Sequence, residues 1–450
     1  MKRIRFSTTQ IILLSFLLAI LMGSLLLALP ISSANGTAVP YIDALFTAAT
    51  STCVTGLVTV PTFSTWSVFG QIVILILIQI GGVGVITIIT GWMLLLNRKL
   101  GISDRLLIQD AFNLNTMSGL VRFVRNVLSG TLIIEGIGAL AYMLVFIPEF
   151  GAKGIWISVF NSVSAFCNAG IDIIADNSLC NYAANPLINI VTSALIILGG
   201  LGYIVWWDVL RVVRSHSPKN KKIFRHLTLH SKIAITVTAV LILAGAILIF
   251  IFEYGNPLTI GEMNLLDKIQ TSFFQSVTTR TAGFASVPQE NLTNASAAVS
   301  VILMLIGGSP VGTAGGIKTV TIAVLICSAF ATIRNKNSAA LFGRRISDNS
   351  IKKALAVATA FFMLCTTSAV LLLATSNVSA LDAVYEAVSA AATVGLSRNF
   401  TATLSTFGKL VIIVTMYLGR VGPISLAVAL GSKNESQNVV SEPTEDISIG

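Results

Sequence analysis

The chain has 450 residues, 54% hydrophobic and only 11% charged, whereas a soluble domain carries about a quarter charged residues. This composition excludes a soluble protein and describes one that crosses a membrane many times. The formal net charge of +10 is not a nucleic-acid footprint, because Lys and Arg concentrate in Lys2 to Arg5, Arg98 to Arg125, Arg211 to Lys232 and Arg334 to Lys353. Acids fill the alternate loops, with Asp43, Glu149, Asp172, Asp176, Glu253, Glu262, Asp267, Glu290 and Asp382. That is the positive-inside asymmetry, and it places both termini and the three basic loops in the cytoplasm.

In chain order, apolar spans are expected at 8–30, 66–97, 126–147, 187–213, 232–252, 296–333, 353–375 and 405–430. The first follows a basic N-terminus but lacks a small-residue cleavage site, so it reads as a retained helix rather than a signal peptide. The spans at 66–97 and 187–213 read as continuous. Between successive pairs lie half-apolar stretches, at 41–57, 155–171, 267–284 and 380–396, too short or too polar to cross and suited to re-entrant hairpins. The five cysteines (Cys53, Cys167, Cys180, Cys327, Cys365) imply no disulfide framework.

The four short stretches align without gaps: FTAATSTCVTGL (46–57), FNSVSAFCNAGI (160–171), FFQSVTTRTAGF (273–284) and YEAVSAAATVGL (385–396). Each opens on an aromatic (Phe46, Phe160, Phe273, Tyr385) and closes on a glycine (Gly56, Gly170, Gly283, Gly395) followed by Leu57, Ile171, Phe284 or Leu396. The expected fold is an all-α polytopic membrane protein, with four pseudo-symmetric units of helix, pore helix, filter loop and helix around one central pore. The units are 1–97, 98–213, 214–333 and 334–430, followed by a polar tail, 431–450. Close helix packing explains one such glycine, not four in register. Unpaired carbonyls inside a membrane need a protein or ion partner, and a ring of them replaces an ion's hydration shell. The expected filter residues are Val54, Thr55 and Gly56, Asn168, Ala169 and Gly170, Thr281, Ala282 and Gly283, and Thr393, Val394 and Gly395, with K⁺ held by backbone carbonyls.

These motifs, TCVTGL above all, resemble the superfamily of K⁺ transporters that includes bacterial Trk, bacterial Ktr and plant HKT proteins. The likeness runs over essentially the whole chain and is greatest to the membrane subunit of the Ktr branch. It implies that the four glycines select K⁺; serine at the first position goes with Na⁺ in some plant relatives, and Gly56 is not serine. It implies a homodimer with one pore per protomer, a cytosolic KtrA-type ring that binds ATP or ADP, Na⁺ stimulation, and a bacterial cell membrane location. No residue marks a Na⁺ site, no cofactor is expected on this chain itself, and no nucleic-acid partner is expected.

The sixth span is interrupted by GGSPVGTAGGIKT (307–319). Five glycines and a proline do not sustain a helix, and Ile317 stands where a phosphate-binding loop needs glycine before Lys318. The resemblance implies an intramembrane gating loop here, made of Gly307, Gly308, Ser309, Pro310, Gly312, Thr313, Gly315, Gly316 and Lys318. Arg420 lies inside the last span, and a mid-membrane arginine is functional by default; it is expected to face the pore and bond this loop. Arg280 is expected to anchor the third pore helix through carbonyls or an acid.

Asp43, Asp267, Asp382 and Glu386, near the pore-helix starts, read first as helix-start caps and solvated acids, and second as a cation-concentrating mouth. For Glu135, within the third span, an internal hydrogen bond and an ion-related role both stay open. His216, His226 and His230 have no metal-ligand spacing. No nucleophile and base are brought together, so no enzyme is expected. The alternative to a gated cation pore is a secondary carrier with broken helices, but four repeats in one orientation, rather than two inverted halves, favour the pore.

Overall fold

A computed structural model describes residues 7–96, 101–111, 119–215, 223–336 and 338–422. The tail 431–450, Pro423, His216 and parts of the first two basic loops lie outside them. The regular structure of the described chain is helical apart from one short hairpin, β1 (Ala340–Leu341) paired with β2 (Arg344–Arg345).

The first unit contains α1 (Thr8–Leu27), α2 (Tyr41–Cys53), the single turn α3 (Thr62–Thr65), α4 (Val68–Val83) and α5 (Val85–Leu95). The second has α6 (Ile102–Ala111), α7 (Leu120–Phe150), α8 (Lys153–Cys167), α9 (Pro186–Leu201) and α10 (Tyr203–Ser215). The third has α11 (Ile223–His226), α12 (Leu229–Glu253), α13 (Leu265–Thr278), α14 (Asn294–Leu305) and α15 (Thr319–Ile333). The fourth follows the hairpin with α16 (Asp348–Thr375), α17 (Ala380–Ala391) and α18 (Thr406–Val421).

Local chemistry sets the boundaries. Asn264, Ser379, Thr293 and Ser405 each accept a hydrogen bond from a backbone N–H three residues on, capping α13, α17, α14 and α18. Asn185 caps α9 ahead of Pro186, which needs no N–H partner at the first helical position.

Within each unit the outer helix packs on the pore helix: α1 on α2, α7 on α8, α12 on α13 and α16 on α17. Between units the rule is cyclic. Helix α4 packs on α8, α9 on α13, α14 on α17, and α18 on α2. The chain therefore closes a four-membered circle, sealed externally by Lys409 of α18 donating to Asp43 of α2 at 2.5 Å.

By length and hydropathy, among the described residues, α1, α7, α12 and α16 cross a membrane unbroken. The spans expected to be continuous at 66–97 and 187–213 are bent instead. Helices α4 and α5 meet at 96°, and α9 and α10 at 94°. Each bend falls on a glycine in a conformation that side chains avoid: Gly84 has φ +94° and Gly202 has φ +86°. Gly422, which ends α18, has φ +92°. The third unit has no bend of this kind at the same place but the loop between α14 and α15.

Candidate functional site: a carbonyl ring over a glycine loop

The pore helices α2, α8, α13 and α17 run down to the four aligned glycine strips, so their C-termini, the negative ends of their dipoles, face the same point. There the backbone repeats itself. Val54, Asn168, Thr281 and Thr393 take left-handed φ of 56°, 59°, 65° and 51°. The next residues, Thr55, Ala169, Ala282 and Val394, do not, and Gly56, Gly170, Gly283 and Gly395 return to positive φ of 101°, 63°, 83° and 95°. Alternation of hand turns successive carbonyls to one side of a strand, the arrangement of a carbonyl filter. A β-branched residue at positive φ is a strained outlier, and here three of the four units hold one.

The glycines interlock. A methyl built on Gly56 would lie 2.5 Å from the Ala169 carbonyl oxygen, one on Gly170 2.6 Å from that of Ala282, one on Gly283 2.5 Å from that of Val394, and one on Gly395 2.1 Å from that of Thr55. Each glycine thus faces the middle carbonyl of the following unit, and the fourth faces the first. A side chain at any of the four collides with the ring.

Hydroxyls inside the pore helices hold the strips in place. The Gly56 N–H donates to Thr50 Oγ1 at 3.0 Å, the Ile171 N–H to Ser164 Oγ at 3.1 Å, and the Gly395 N–H to Ser389 Oγ at 3.1 Å. All three acceptors stand six residues before their glycine. The third unit has Val277 there, and instead Thr278 Oγ1 donates to the Phe284 carbonyl at 2.7 Å. A hydroxyl residue at this offset in three of four copies is a signal for these bonds already present in the sequence.

The loop expected to be a gate is seated directly against the pore-helix end of the four strips. Its ends are zipped: the Gly307 N–H donates to the Ile317 carbonyl at 3.0 Å and the Ile317 N–H to that of Leu305 at 3.1 Å. Gly307 and Gly316 (φ +66°) touch across the zip. The Ser309 and Thr313 N–H groups donate to the carbonyls of Gly200 and Gly199, Gly308 and Gly312 pack on that same glycine pair, and Pro310 presses on Gly202. Ser309 and Thr319 share a hydroxyl hydrogen bond of 3.0 Å. At the tip, Thr313 Oγ1 reaches the Phe166 carbonyl and Asn168 Oδ1, at 3.1 and 3.2 Å, and the Gly315 N–H donates to Thr281 Oγ1 at 3.2 Å.

Three cations bind the loop carbonyls. Arg420 Nη1 donates to Thr313 at 2.5 Å, and Nη2 donates to the Gly81 carbonyl. Lys318 Nζ donates to Ala314 at 2.6 Å. Arg280 Nη2 donates to Gly307 at 2.8 Å, so the anchor expected for the third pore helix is made to the loop itself. Among the described residues none of the three has an acidic partner.

Arg420 also belongs to a second four-fold motif missed in the sequence. The segments IGGVG (80–84), LGGLG (198–202), IGGSP (306–310) and LGRVG (418–422) align. Methyls on their first glycines Gly81, Gly199 and Gly419 would each lie 2.0 Å from a pore-helix carbonyl, of Thr52, Phe166 and Ala391. The last three residues each sit four positions before a filter glycine. Arg420 occupies the slot of Gly82, Gly200 and Gly308.

Above the filter opens a cavity of about 440 Å³ lined by all four filter glycines. Its acids are Asp172, Asp176 and Glu290, and no lysine or arginine lines it. None of the four acids at the pore-helix starts does so. Asp43 pairs with Lys409, Asp382 accepts from Arg398 Nε at 2.7 Å, Asp267 accepts from Asn264 beside its cap, and the buried Glu386 accepts from Ser397 and Thr401. Glu135 is buried behind the second pore helix, accepting from Gln79 Nε2 at 3.2 Å and approached by Cys167 Sγ at 3.8 Å. His226 and His230 enter no metal-binding group, and among the described residues there is none.

Four re-entrant helix-and-strip units closing on one axis define a polytopic pore-loop membrane protein, the class in which backbone carbonyls face the permeation path. The chain belongs to the TrkH family of cation transport proteins, whose pattern matches residues 3–442. It is similar to the potassium/sodium uptake protein NtpJ of Enterococcus hirae, with 39% identity over 100% of this chain and 98% of that one. It is also similar to the Ktr system potassium uptake protein B of Bacillus subtilis, with 38% identity over 97% and 96%. The crystal structure of the potassium transporter TrkH from Vibrio parahaemolyticus has the same fold, with a TM-score of 0.76 at 16% identity over 95% of this chain and 86% of that one.

Proposed function

We propose that this protein is the K⁺-translocating membrane subunit of a Ktr-type uptake system. In this reading K⁺ sheds its water against the carbonyls of residues 54–56, 168–170, 281–283 and 393–395, and the 307–319 loop, held by Arg420 and Lys318, closes the path below. The observation that carries it is the four-fold left-handed alternation, interlocked from each glycine to the next unit's carbonyl. Such a ring selects by the number and field of its carbonyls, without charged side chains. The Ktr and NtpJ names of similar chains support K⁺ as the ion and Na⁺ as a second ion or stimulator.

The same reading makes the chain a homodimer in the bacterial cell membrane, with both termini cytoplasmic. Its gate answers to a cytosolic KtrA-type ring that binds ATP or ADP, contacting the basic loops Arg98 to Arg125, Arg211 to Lys232 and Arg334 to Lys353. The test is K⁺ and Na⁺ uptake in cells lacking their own K⁺ uptake, with the regulatory subunit present. The natural chain restores K⁺ uptake and Gly56→Ser loses discrimination against Na⁺. Absence of K⁺ uptake with both chains in the membrane refutes the pore and leaves the carrier reading.

A further inference from the structure

The outer helices carry a four-fold pattern of their own. Methyls built on Gly23 of α1, Gly138 of α7 and Gly245 of α12 would come within 2.8 Å of Leu77, Leu195 and Leu303 on the inner helix of the same unit. In the fourth unit Ser368 of α16 shares a hydroxyl hydrogen bond of 2.7 Å with Thr415. Leu77, Leu195, Leu303 and Thr415 each stand four residues before Gly81, Gly199, Gly307 and Gly419, so the four contacts are equivalent. Three residues before the small residue stand Ile20, Glu135, Ile242 and Cys365, all of them buried. The second unit alone puts an acid there.

Its partner is equally singular. Glu135 Oε2 accepts from Gln79 Nε2, on α4 of the first unit, at 3.2 Å. The residues equivalent to Gln79 are Ile197, Leu305 and Tyr417, and at the next boundary Ile242 and Ile197 line one small gap. A carboxyl and an amide from different units thus meet at one of four equivalent boundaries, where apolar side chains serve elsewhere. The pair closes on the end of the second pore helix. Cys167, the last residue of α8, brings Sγ to 3.6 Å from Gln79 Oε1 and 3.8 Å from Glu135 Oε1, and a methyl on Gly82 would lie 2.5 Å from the same sulfur. The Glu135 carbonyl accepts from Ser162 Oγ at 2.6 Å, so one residue of α7 holds the pore helix at two points. Among the described residues no lysine, arginine or histidine bonds this carboxyl. A buried carboxyl is costlier than the isoleucines that fill its place in other units, so the packing of the circle does not call for it.

We infer that Glu135 and Gln79 are positioning residues for the second filter strip and that, given the pore reading above, they set K⁺ over Na⁺ discrimination from behind the pore helix. Cys167 directly precedes the strip 168–170, so the clamp on its side chain fixes where those carbonyls stand in the ring. Selectivity of a carbonyl ring depends on the number and field of its oxygens, and a strip released on one side lets the ring adapt to the smaller ion. What Glu135 contributes is hydrogen bonding, not an ion pair.

The test gives each partner the residue that stands at the next boundary. Glu135→Ile, Gln79→Ile, the double change and Glu135→Gln are compared with the natural chain for competitive uptake of K⁺ and Na⁺, in cells lacking their own K⁺ uptake. The amount of full-length protein in the membrane is measured alongside. Each isoleucine lowers discrimination about fivefold, the worth of one neutral hydrogen bond, and the double change lowers it no further, because the two side chains act as one unit. Glu135→Gln, which keeps the shape and a hydrogen-bonding head, retains the natural ratio. A merely structural role lowers the amount of protein or slows both ions alike, so an unmoved ratio in Glu135→Ile and Gln79→Ile overturns the inference. Glu135→Gln with the ratio of Glu135→Ile overturns it as well, since charge is then what the site requires. If Glu135→Ile does not reach the membrane, the half-buried Gln79→Ile decides. A natural chain that reaches the membrane and takes up no K⁺ overturns the pore reading instead.

Discussion

Arg420 Nη1 donates to the Thr313 carbonyl at 2.5 Å, while Nη2 holds the Gly81 carbonyl. One guanidinium from the fourth unit thereby ties the loop of the third to the bend of the first. Hydrogen bonds to a charged donor contribute about 1.5–3 kcal/mol each, and Arg420→Ala removes both. Uptake through Arg420→Ala, and through a chain lacking part of 309–317, is expected to rise and to depend less on the regulatory subunit. Unchanged flux in both removes the gate.

The glycine interlock predicts an order of damage. Gly395 has φ +95°, and a methyl there would lie 2.1 Å from the Thr55 carbonyl oxygen. Gly395→Ala should abolish K⁺ selectivity or assembly altogether. Gly343→Ala, at an exposed hairpin with nothing within 4 Å of the added carbon, should cost no more than the backbone strain of its positive φ, about 1–2 kcal/mol. Uptake ratios and detergent-extracted yield separate the two.

Thr50 and Ser389 hold the filter glycine amides at 3.0 and 3.1 Å. A neutral hydrogen bond contributes about 1 kcal/mol net, so Thr50→Val and Ser389→Ala should each lower K⁺ over Na⁺ discrimination about fivefold. The third unit already lacks this bond, and Val277→Ala is expected to leave discrimination within about twofold, since it removes packing and no hydrogen bond. Competitive uptake of the two ions measures each.

At the outer mouth, burial pushes the Asp172 carboxyl up to about 6, against hydrogen bonds from Ser178, Ile174 and Ala175 that lower it, with Asp176 adding to the rise. Asp176, Glu290 and Cys180 share its cavity, and the Tyr142 ring lies nearby. The raised value means a neutral group below about pH 6 and a negative one above. Uptake at limiting K⁺ should therefore fall as external pH drops through 6. In Asp172→Asn that step should disappear, with uptake low at every pH. A step of equal size in the variant would assign the titration elsewhere.

Lys409 and Asp43 are both largely shielded from water, with side-chain exposures of 15% and 9%. Breaking a buried pair by removing one partner costs about 3–5 kcal/mol; partial exposure here reduces that to about 2–3. Lys409→Met should lower the melting temperature of the purified protein, and Lys409→Met with Asp43→Asn should recover part of the loss.

The four-fold strip was legible because its copies share an aromatic, a glycine and a following apolar residue at fixed offsets. The break at 307–319 was legible because five glycines interrupt an otherwise apolar run. The right-angle bends at Gly84 and Gly202 were not, since hydropathy reports burial and is blind to φ; VGVI and LGYI read as apolar as any helix. Their signal lay in aligning IGGVG, LGGLG, IGGSP and LGRVG, which also explains why an arginine at 420 fits where glycines stand elsewhere. Arg280 has no counterpart in the other units, so its target, a carbonyl of the interrupted span, had no pattern to reveal it. Of the two readings open for Asp43, Asp267, Asp382 and Glu386, the mouth is the one the cavity lining does not include. Proximity to a pore-helix start in sequence puts an acid at the outer rim of the circle, while residues just after the filter glycine, such as Asp172, fall on the axis.

The closing of Gly395 onto Thr55 and Gly56 brings the last unit of the chain into direct contact with the first. During synthesis the first three strips therefore wait, with unpaired carbonyls, until the last unit enters the membrane. The ring is the final element to form, and an arc of three units leaves backbone carbonyls without the neighbours that a membrane interior demands.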